Sequence, residues 1–209
     1  MRLVMISDTH GKHEELGILS GDVLVHSGDF CNGFEIDEAD LLGLDRWFGE
    51  QRFDRILCVG GNHDFAAQAK RARGERVFEN AVYLEDDVCE FDGVKFYGAP
   101  WIPELEEWAY YLPDHDRQNK WSQIPADTDV LITHCPPHGI LDQSSGGMSV
   151  GCRFLRDAVN GLSLKVHCFG HVHSGHGQKR QAMTLFCNAA VAGHDYDIEH
   201  SPIVVDLLI

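Results

Sequence analysis

A chain of 209 residues can bury one substantial core and is short for two independent domains, so a single domain over 1–209 is expected. Its 44% hydrophobic and 24% charged residues exclude disordered and fibrous classes. Seventeen Lys and Arg face 33 Asp and Glu, and the formal net charge of −16 repels polyanions, which argues against stable nucleic-acid binding.

In chain order, the first apolar run, 3–6, is stopped by Asp8 before it could act as the apolar stretch of an export signal. No other run approaches the roughly 20 residues needed to cross a bilayer, so a soluble, cytoplasmic protein is expected. The seven cysteines are odd in number, scattered and without a C-x-x-C pair, as in a reducing compartment. A second run, 23–25, leads into Gly28 and Asp29, and a third, 56–59, leads into the loop Gly60, Gly61, Asn62, His63, Asp64. Between them Ile36, Leu41, Leu44, Trp47 and Phe48 recur at near-helical spacing, which predicts a helix over 36–48; a second is predicted over 66–73. Runs 88–91 and 94–97 flank Asp92 and Gly93, a pair suited to a two-residue hairpin turn. The segment 101–125 lacks clean periodicity and reads as a long loop with a helical turn or two. Two further runs, 130–133 and 166–169, end at His134 and at Gly170, His171, Val172, His173. Apolar runs over 183–187 and 203–209 complete a second set of strands, giving a two-sheet sandwich flanked by helices.

Five strand-like runs therefore end on metal-loving side chains. Asp8 and His10, one residue apart, can converge on one ion from a loop. Asp29 follows a glycine that admits close backbone approach, and its two carboxylate oxygens suit it to join neighbouring cations. Asn62 offers a neutral carbonyl oxygen, and His134, His171 and His173 offer imidazole nitrogens. This mixed set suits two divalent ions, Mn first, with Fe, Zn, Co or Ni also compatible; Mg would prefer more oxygen. Their charge exceeds that of Asp8 and Asp29, so the excess can hold hydroxide and phosphate. Paired ions roughly 3.5 to 4 Å apart lower the pKa of a bridging water and neutralise phosphoryl oxygens during in-line attack. His63 is assigned as the general acid for the leaving group, with Asp64 holding its imidazole protonated and aimed.

Asp8-x-His10, Gly28-Asp29, Gly61-Asn62-His63-Asp64, Thr133-His134 and Gly170-His171-Val172-His173, in this order, resemble the blocks of the calcineurin-like metallophosphoesterases. The resemblance implies an α/β fold in a four-layer α/β/β/α sandwich of two mixed sheets. It also implies one ion on Asp8, His10, Asp29 and His173 and a second on Asp29, Asn62, His134 and His171. The stretch from Thr133 to Asp142, Val150-Gly151-Cys152 and the run from Pro202 to Asp206 resemble the small metallophosphoesterase-domain proteins. Those are phosphodiesterases with some cyclic-nucleotide activity, so a small phosphodiester, a cyclic nucleotide among the options, is the expected substrate. Relatives there often carry Glu where this chain has Asp64. A monoesterase or protein phosphatase, or a metal-binding scaffold with little turnover, are the other readings, and the full donor set favours an enzyme.

Other features carry two readings each. His63 is an acid or a satisfied loop histidine, and His138, His167, His176 and His194 are weaker candidates of the same kind. Cys135 is a soft ligand or redox-sensitive thiol, or a buried small hydrophobe. Trp101, Trp108, Tyr110, Tyr111 and Trp121 stack on a nucleobase or pack a core. The loop 144–149 closes over substrate or merely connects.

Overall fold

The computed structural model describes residues 1–33 and 36–208. Its first sheet has the order β11-β1-β2-β3-β4: β1 (Arg2–Ile6), β2 (Val23–His26), β3 (Arg55–Cys58) and β4 (Val82–Tyr83) run parallel, and β11 (Ile203–Asp206) pairs antiparallel with β1. The second sheet has the order β5-β6-β7-β8-β10-β9. Its parallel centre is β6 (Val94–Ala99), β7 (Val130–Thr133), β8 (Val166–Phe169) and β10 (Thr184–Asn188), edged by antiparallel β5 (Asp87–Phe91) and β9 (Gly177–Gln181).

Central strands with helices on one face and a sheet on the other have no polar side to show, so β2, β7 and β8 are buried at every residue. Alternation then decides which layer each residue fills. Leu3, Met5, Val23, Val25 and Leu57 face Phe96, Val130, Ile132 and Val166 across the space between the sheets. On the outer face of the first sheet, Val4, Ile6, Leu24 and Ile56 pack under α1 (Glu38–Glu50) and α2 (Phe65–Ala72) through Leu41, Leu44, Trp47, Phe48, Ala66 and Ala67. On the outer face of the second, Tyr97, Leu131 and Phe169 meet Trp121 of α3 (Asp114–Trp121) and Leu155 and Val159 of α4 (Arg153–Asn160). The result is the four-layer α/β/β/α sandwich. Burying each such Leu, Ile or Phe contributes about 1.5–3 kcal/mol.

The first helix begins later than its apolar spacing predicts, because Asp37 stays extended and its side chain accepts a hydrogen bond from Ala39 N at 2.8 Å. Ile36 is left exposed in front of the cap. Asp92 and Gly93 take φ of 52° and 77°, the paired positive values of the tight hairpin turn between β5 and β6. Segment 101–125 holds α3, and its aromatics are mostly core: Trp101, Tyr110 and Trp121 are buried and Tyr111 packs against them. The last strand stops at Asp206, and Ile209, the end of its expected run, lies outside the described residues. Among the described residues no helix is long and apolar enough to cross a membrane.

Candidate metal centre

Five of the parallel strands point their carboxyl ends to one edge of the sandwich, where backbone diverges and leaves a crevice. At that edge Asp8, His10, Asp29 and His171 all adopt positive φ, 57°, 44°, 56° and 68°. Left-handed backbone at a residue with a Cβ costs on the order of 1 kcal/mol or more, and it persists because neighbours fix it. Asp8 N donates to Gly28 O at 2.9 Å, His10 N to Asp29 O at 3.1 Å, and His171 N to the Asp8 carboxylate at 3.0 Å. The loops are thereby tied to one another across the two sheets, and each side chain is aimed into the crevice. Glycines allow the approach: a Cβ on Gly170 would fall on the Asp8 carboxylate, and one on Gly61 would lie 2.6 Å from His134 Cε1.

Asp8, His10 and His173 each bring one ligand atom to within 4.8 Å of the others, and Asp29, His134 and His171 form a second such group. Asp29 links the groups, since its Oδ2 lies 3.9 Å from His10 Nε2 and 3.4 Å from His134 Nε2. The other oxygen of Asp29 accepts from His63 N at 2.8 Å. Asn62 Oδ1 sits 2.9 Å from His134 Nε2 and 2.8 Å from His171 Nδ1. His10 Nε2 and His173 Nε2 are 3.3 Å apart.

Three imidazoles are also held from behind. Nδ1 of His10, His134 and His173 faces the carbonyls of Cys31, Ser27 and Gly193 at 3.2, 2.8 and 2.8 Å. Each carbonyl accepts a hydrogen bond from Nδ1–H, so the neutral ring turns its Nε2 lone pair inward, the usual support of a ligating histidine. Two groups of hard oxygen and imidazole donors sharing one carboxylate fit two divalent cations. The residues that would hold one are Asp8, His10, Asp29 and His173, and those for the other Asp29, Asn62, His134 and His171.

The charges of the ion-free chain agree. Burial would raise the Asp8 pKa, but His173 and His134 beside it pull it down to about 2, and the Asp29 carboxyl, also buried, is driven low by His134. Burial lowers His134, yet Asp29 more than reverses that and lifts it to about 9; both its ring nitrogens face acceptors. His171 is pushed down to about 4 by burial and by the His134 charge. Below about pH 9 His134 therefore holds a proton where a cation would bind. Adding Mn²⁺ to metal-free protein at pH 7 is expected to release that proton, and apparent affinity to rise about tenfold per pH unit for each proton displaced. Titration calorimetry in buffers of different ionisation enthalpy reads this; a buffer-independent heat and a pH-independent affinity would contradict it.

His63 lines the cavity in front of this cluster, with a ring nitrogen within 4.8 Å of the ligand atoms of His10 and Asp29. The expected partnership with Asp64 is not found. Asp64 Oδ1 accepts from Phe30 N and Cys31 N at 2.8 and 3.0 Å, and Oδ2 from Asp29 N and Gly61 N at 2.8 and 2.7 Å. Four backbone donors saturate the carboxylate, so Asp64 shapes the Asp29 and Asn62 loops rather than orienting His63. Nδ1 of His63 is buried without a hydrogen-bond partner, and its ring is held by edge contacts with His10 and Trp108, centroids 4.8 and 4.6 Å away. Burial lowers its pKa, with Asp29 opposing.

The remaining candidates separate. His167 is buried against Thr133 Oγ1 at 2.9 Å, His138 lies beside Asp142, and His176 stacks on His200 at 4.3 Å. Cys135 is a buried small side chain whose thiol, its pKa raised well above the usual value by burial, donates to Trp101 O. Of the five aromatics weighed for stacking, Trp108 alone lines the cavity, which has a volume of about 580 Å³. Ser144 and Ser145 reach its rim from a loop closed by Ser144 N donating to Met148 O. His194, Tyr196, Glu199 and His200 also line it, from the stretch between β10 and β11. Tyr196 was not singled out from sequence; the signal was the Gly193-His194-Asp195-Tyr196-Asp197 run between two apolar strands.

The family described as calcineurin-like phosphoesterase matches residues 1–175, so 176–209, Tyr196 among them, lie outside the match. The chain is 31% identical to human metallophosphoesterase domain-containing protein 1, over 99% of this chain and 71% of that one. It is 30% identical to UPF0046 protein T07D4.2 of Caenorhabditis elegans over 99% of its own length, and spans 60% of that protein. In fold it is similar to TT1561 of Thermus thermophilus, with a TM-score of 0.64 at 15% identity over 90% of this chain and 88% of the other.

Proposed function

The chain belongs to the calcineurin-like phosphoesterase family, and on that premise we propose that it hydrolyses small phosphodiesters, nucleotides among them, with two divalent ions, Mn²⁺ first. The observation that carries the diester reading is the charge of the cavity wall. Among the described residues no Lys or Arg lines it, and Glu199 adds a negative charge. With no Lys or Arg in the wall, bound ions and a protonated His63 would supply the positive charge near the phosphorus, and a diester monoanion would be better balanced there than a monoester dianion. A volume of about 580 Å³ suits a small ligand.

When bound, two divalent ions polarise the phosphoryl oxygens and lower the pKa of a water between them. Asp29 and the six donor residues around it supply a rigid seat, because the ligating loops are hydrogen-bonded to one another. His63, on the cavity side of the cluster, protonates the departing oxygen. Its depressed pKa leaves the imidazolium scarce as pH rises, so turnover of esters with poor leaving groups falls toward alkaline pH. His63→Ala is expected to slow alkyl esters about a hundredfold or more while p-nitrophenyl esters lose under about tenfold, with metal content intact. An equal loss on both classes would remove His63 from the acid role.

The direct test is hydrolysis of bis(p-nitrophenyl) phosphate against p-nitrophenyl phosphate by metal-stripped protein resupplied with Mn²⁺, with 2′,3′- and 3′,5′-cyclic nucleotides alongside. Mn²⁺-dependent preference for the diester supports the proposal. A preference for the monoester makes the protein a phosphatase, and bound metal without turnover makes it a scaffold.

A further inference from the structure

Tyr196 stands at the cavity mouth, its ring edge-on to three histidines of the cluster: His10 at 4.7 Å, His173 at 5.3 Å and His63 at 6.1 Å between centroids. It adopts φ of 61°, a strained conformation for a residue with a large side chain. The turn that imposes it is held at several points. Gly193 N donates to Asp197 O at 2.8 Å, Asp197 pairs with Lys12 beside the His10 loop, and Gly193 O accepts a hydrogen bond from Nδ1 of His173. A strained, well-tethered aromatic ring that is still 41% exposed is placed for something other than core packing.

Trp108 approaches His63 as well, at 63° and 4.6 Å, and its loop is tied to the cluster by Ala109 N donating to Asn62 O at 3.2 Å. Trp108 and Tyr196 thus both line the cavity and both touch the ring assigned to protonate the leaving group, with Leu105 beside them on the wall. A leaving oxygen within reach of His63 carries its organic group into this aromatic surround. We infer that Trp108 and Tyr196 form the subsite for a flat aromatic leaving group, a nucleoside or aryl alcohol, and that Tyr196 is the specificity-determining residue there. The leaving-group role of the bound ring rests on the phosphodiester reading. The subsite itself is tested by binding alone.

Phenyl phosphate and methyl phosphate carry the same head group and differ only in the ring. Calorimetric titration of the Mn²⁺-loaded chain is expected to find phenyl phosphate bound about tenfold more tightly, the scale of a ring stacked on an aromatic side chain. The preference should shrink to under about twofold in Tyr196→Leu and in Trp108→Leu, with methyl phosphate bound as before, and return in Tyr196→Phe. Equal weakening of both ligands in Tyr196→Leu would make the ring a mere prop for His10 and His173 and overturn the inference, as would the absence of a phenyl preference in the unmodified chain. A phenyl preference without diester turnover would keep the subsite and sink the diesterase reading.

Discussion

Asp29→Ala is expected to strip both ions and reduce hydrolysis by at least about a thousandfold. Changes to groups that merely support a ligand cost about 10- to 100-fold. Asp29 does more, because one carboxylate serves both halves of the centre: Oδ2 reaches toward His10 on one side and His134 on the other, while Oδ1 receives His63 N. Without it Asp8 is the one carboxylate left for two cations, and the group of Asn62, His134 and His171 has no anionic donor of its own. Metal analysis by mass spectrometry alongside rate measurement checks this. Retention of both ions in the alanine variant would remove Asp29 from the bridging position. His171→Ala, by comparison, takes only one donor from one group.

The second large effect is on stability rather than chemistry. Asp64 is completely buried and receives four backbone N–H groups from two different loops. Asp64→Ala leaves all four without a partner in a place water does not reach, at roughly 1–3 kcal/mol each. That sum is comparable to the whole stability of a domain, about 5–15 kcal/mol, so the alanine variant is expected to accumulate poorly. Asp64→Asn is the informative change. Its amide keeps one acceptor oxygen and turns an NH₂ against two donors, a loss on the order of 4 kcal/mol, or about 8–16 °C in melting temperature for a chain this size. If Asp64 instead acted on His63, the asparagine variant would melt normally and lose rate selectively on poor leaving groups. A thermal scan beside a two-substrate assay separates these outcomes.

The Asp64 result shows where sequence reading stops. Adjacent residues in a loop point in unrelated directions once φ and ψ are set, and the neighbour of His63 is turned back toward the strand ends while His63 faces the cavity. What was legible was anything carried by strand ends. Runs such as 130–133 and 166–169 are apolar because both faces are covered, so their limits coincide with β7 and β8, and the polar residue after each is where the chain emerges. What was not legible had weak local signals. Strand β9 is an edge strand of Gly, Gln, Lys and Arg, polar because none of its residues is buried and its three central ones are exposed, so it lacks the alternation of a half-buried strand. Helix α4 buries little beyond Leu155 and Val159, and the side chain at its N-terminus is a cysteine, whose Sγ accepts from Leu155 N at 3.4 Å where Ser, Thr or Asp would have announced a cap. The aromatic stretch 101–125 gave no sign that Trp108 alone would reach the cavity, since its neighbours differ in burial and not in type. Tyr196 lies beyond the last cluster donor, His173, with β9 and β10 between them.

That spread along the chain has a consequence for how the protein comes into being. Asp8 and His171 are 163 residues apart and hydrogen-bonded to each other, and His134 reaches back 107 residues to Ser27. A growing chain that has produced Asp8, His10, Asp29 and Asn62 has all three of its oxygen donors and a single one of its four cluster imidazoles. The other three imidazoles arrive with the second sheet, His134 after β7 and His171 and His173 after β8. Loop closure over such separations is slow compared with local helix formation. The full donor set is thus assembled late, when the two sheets come together.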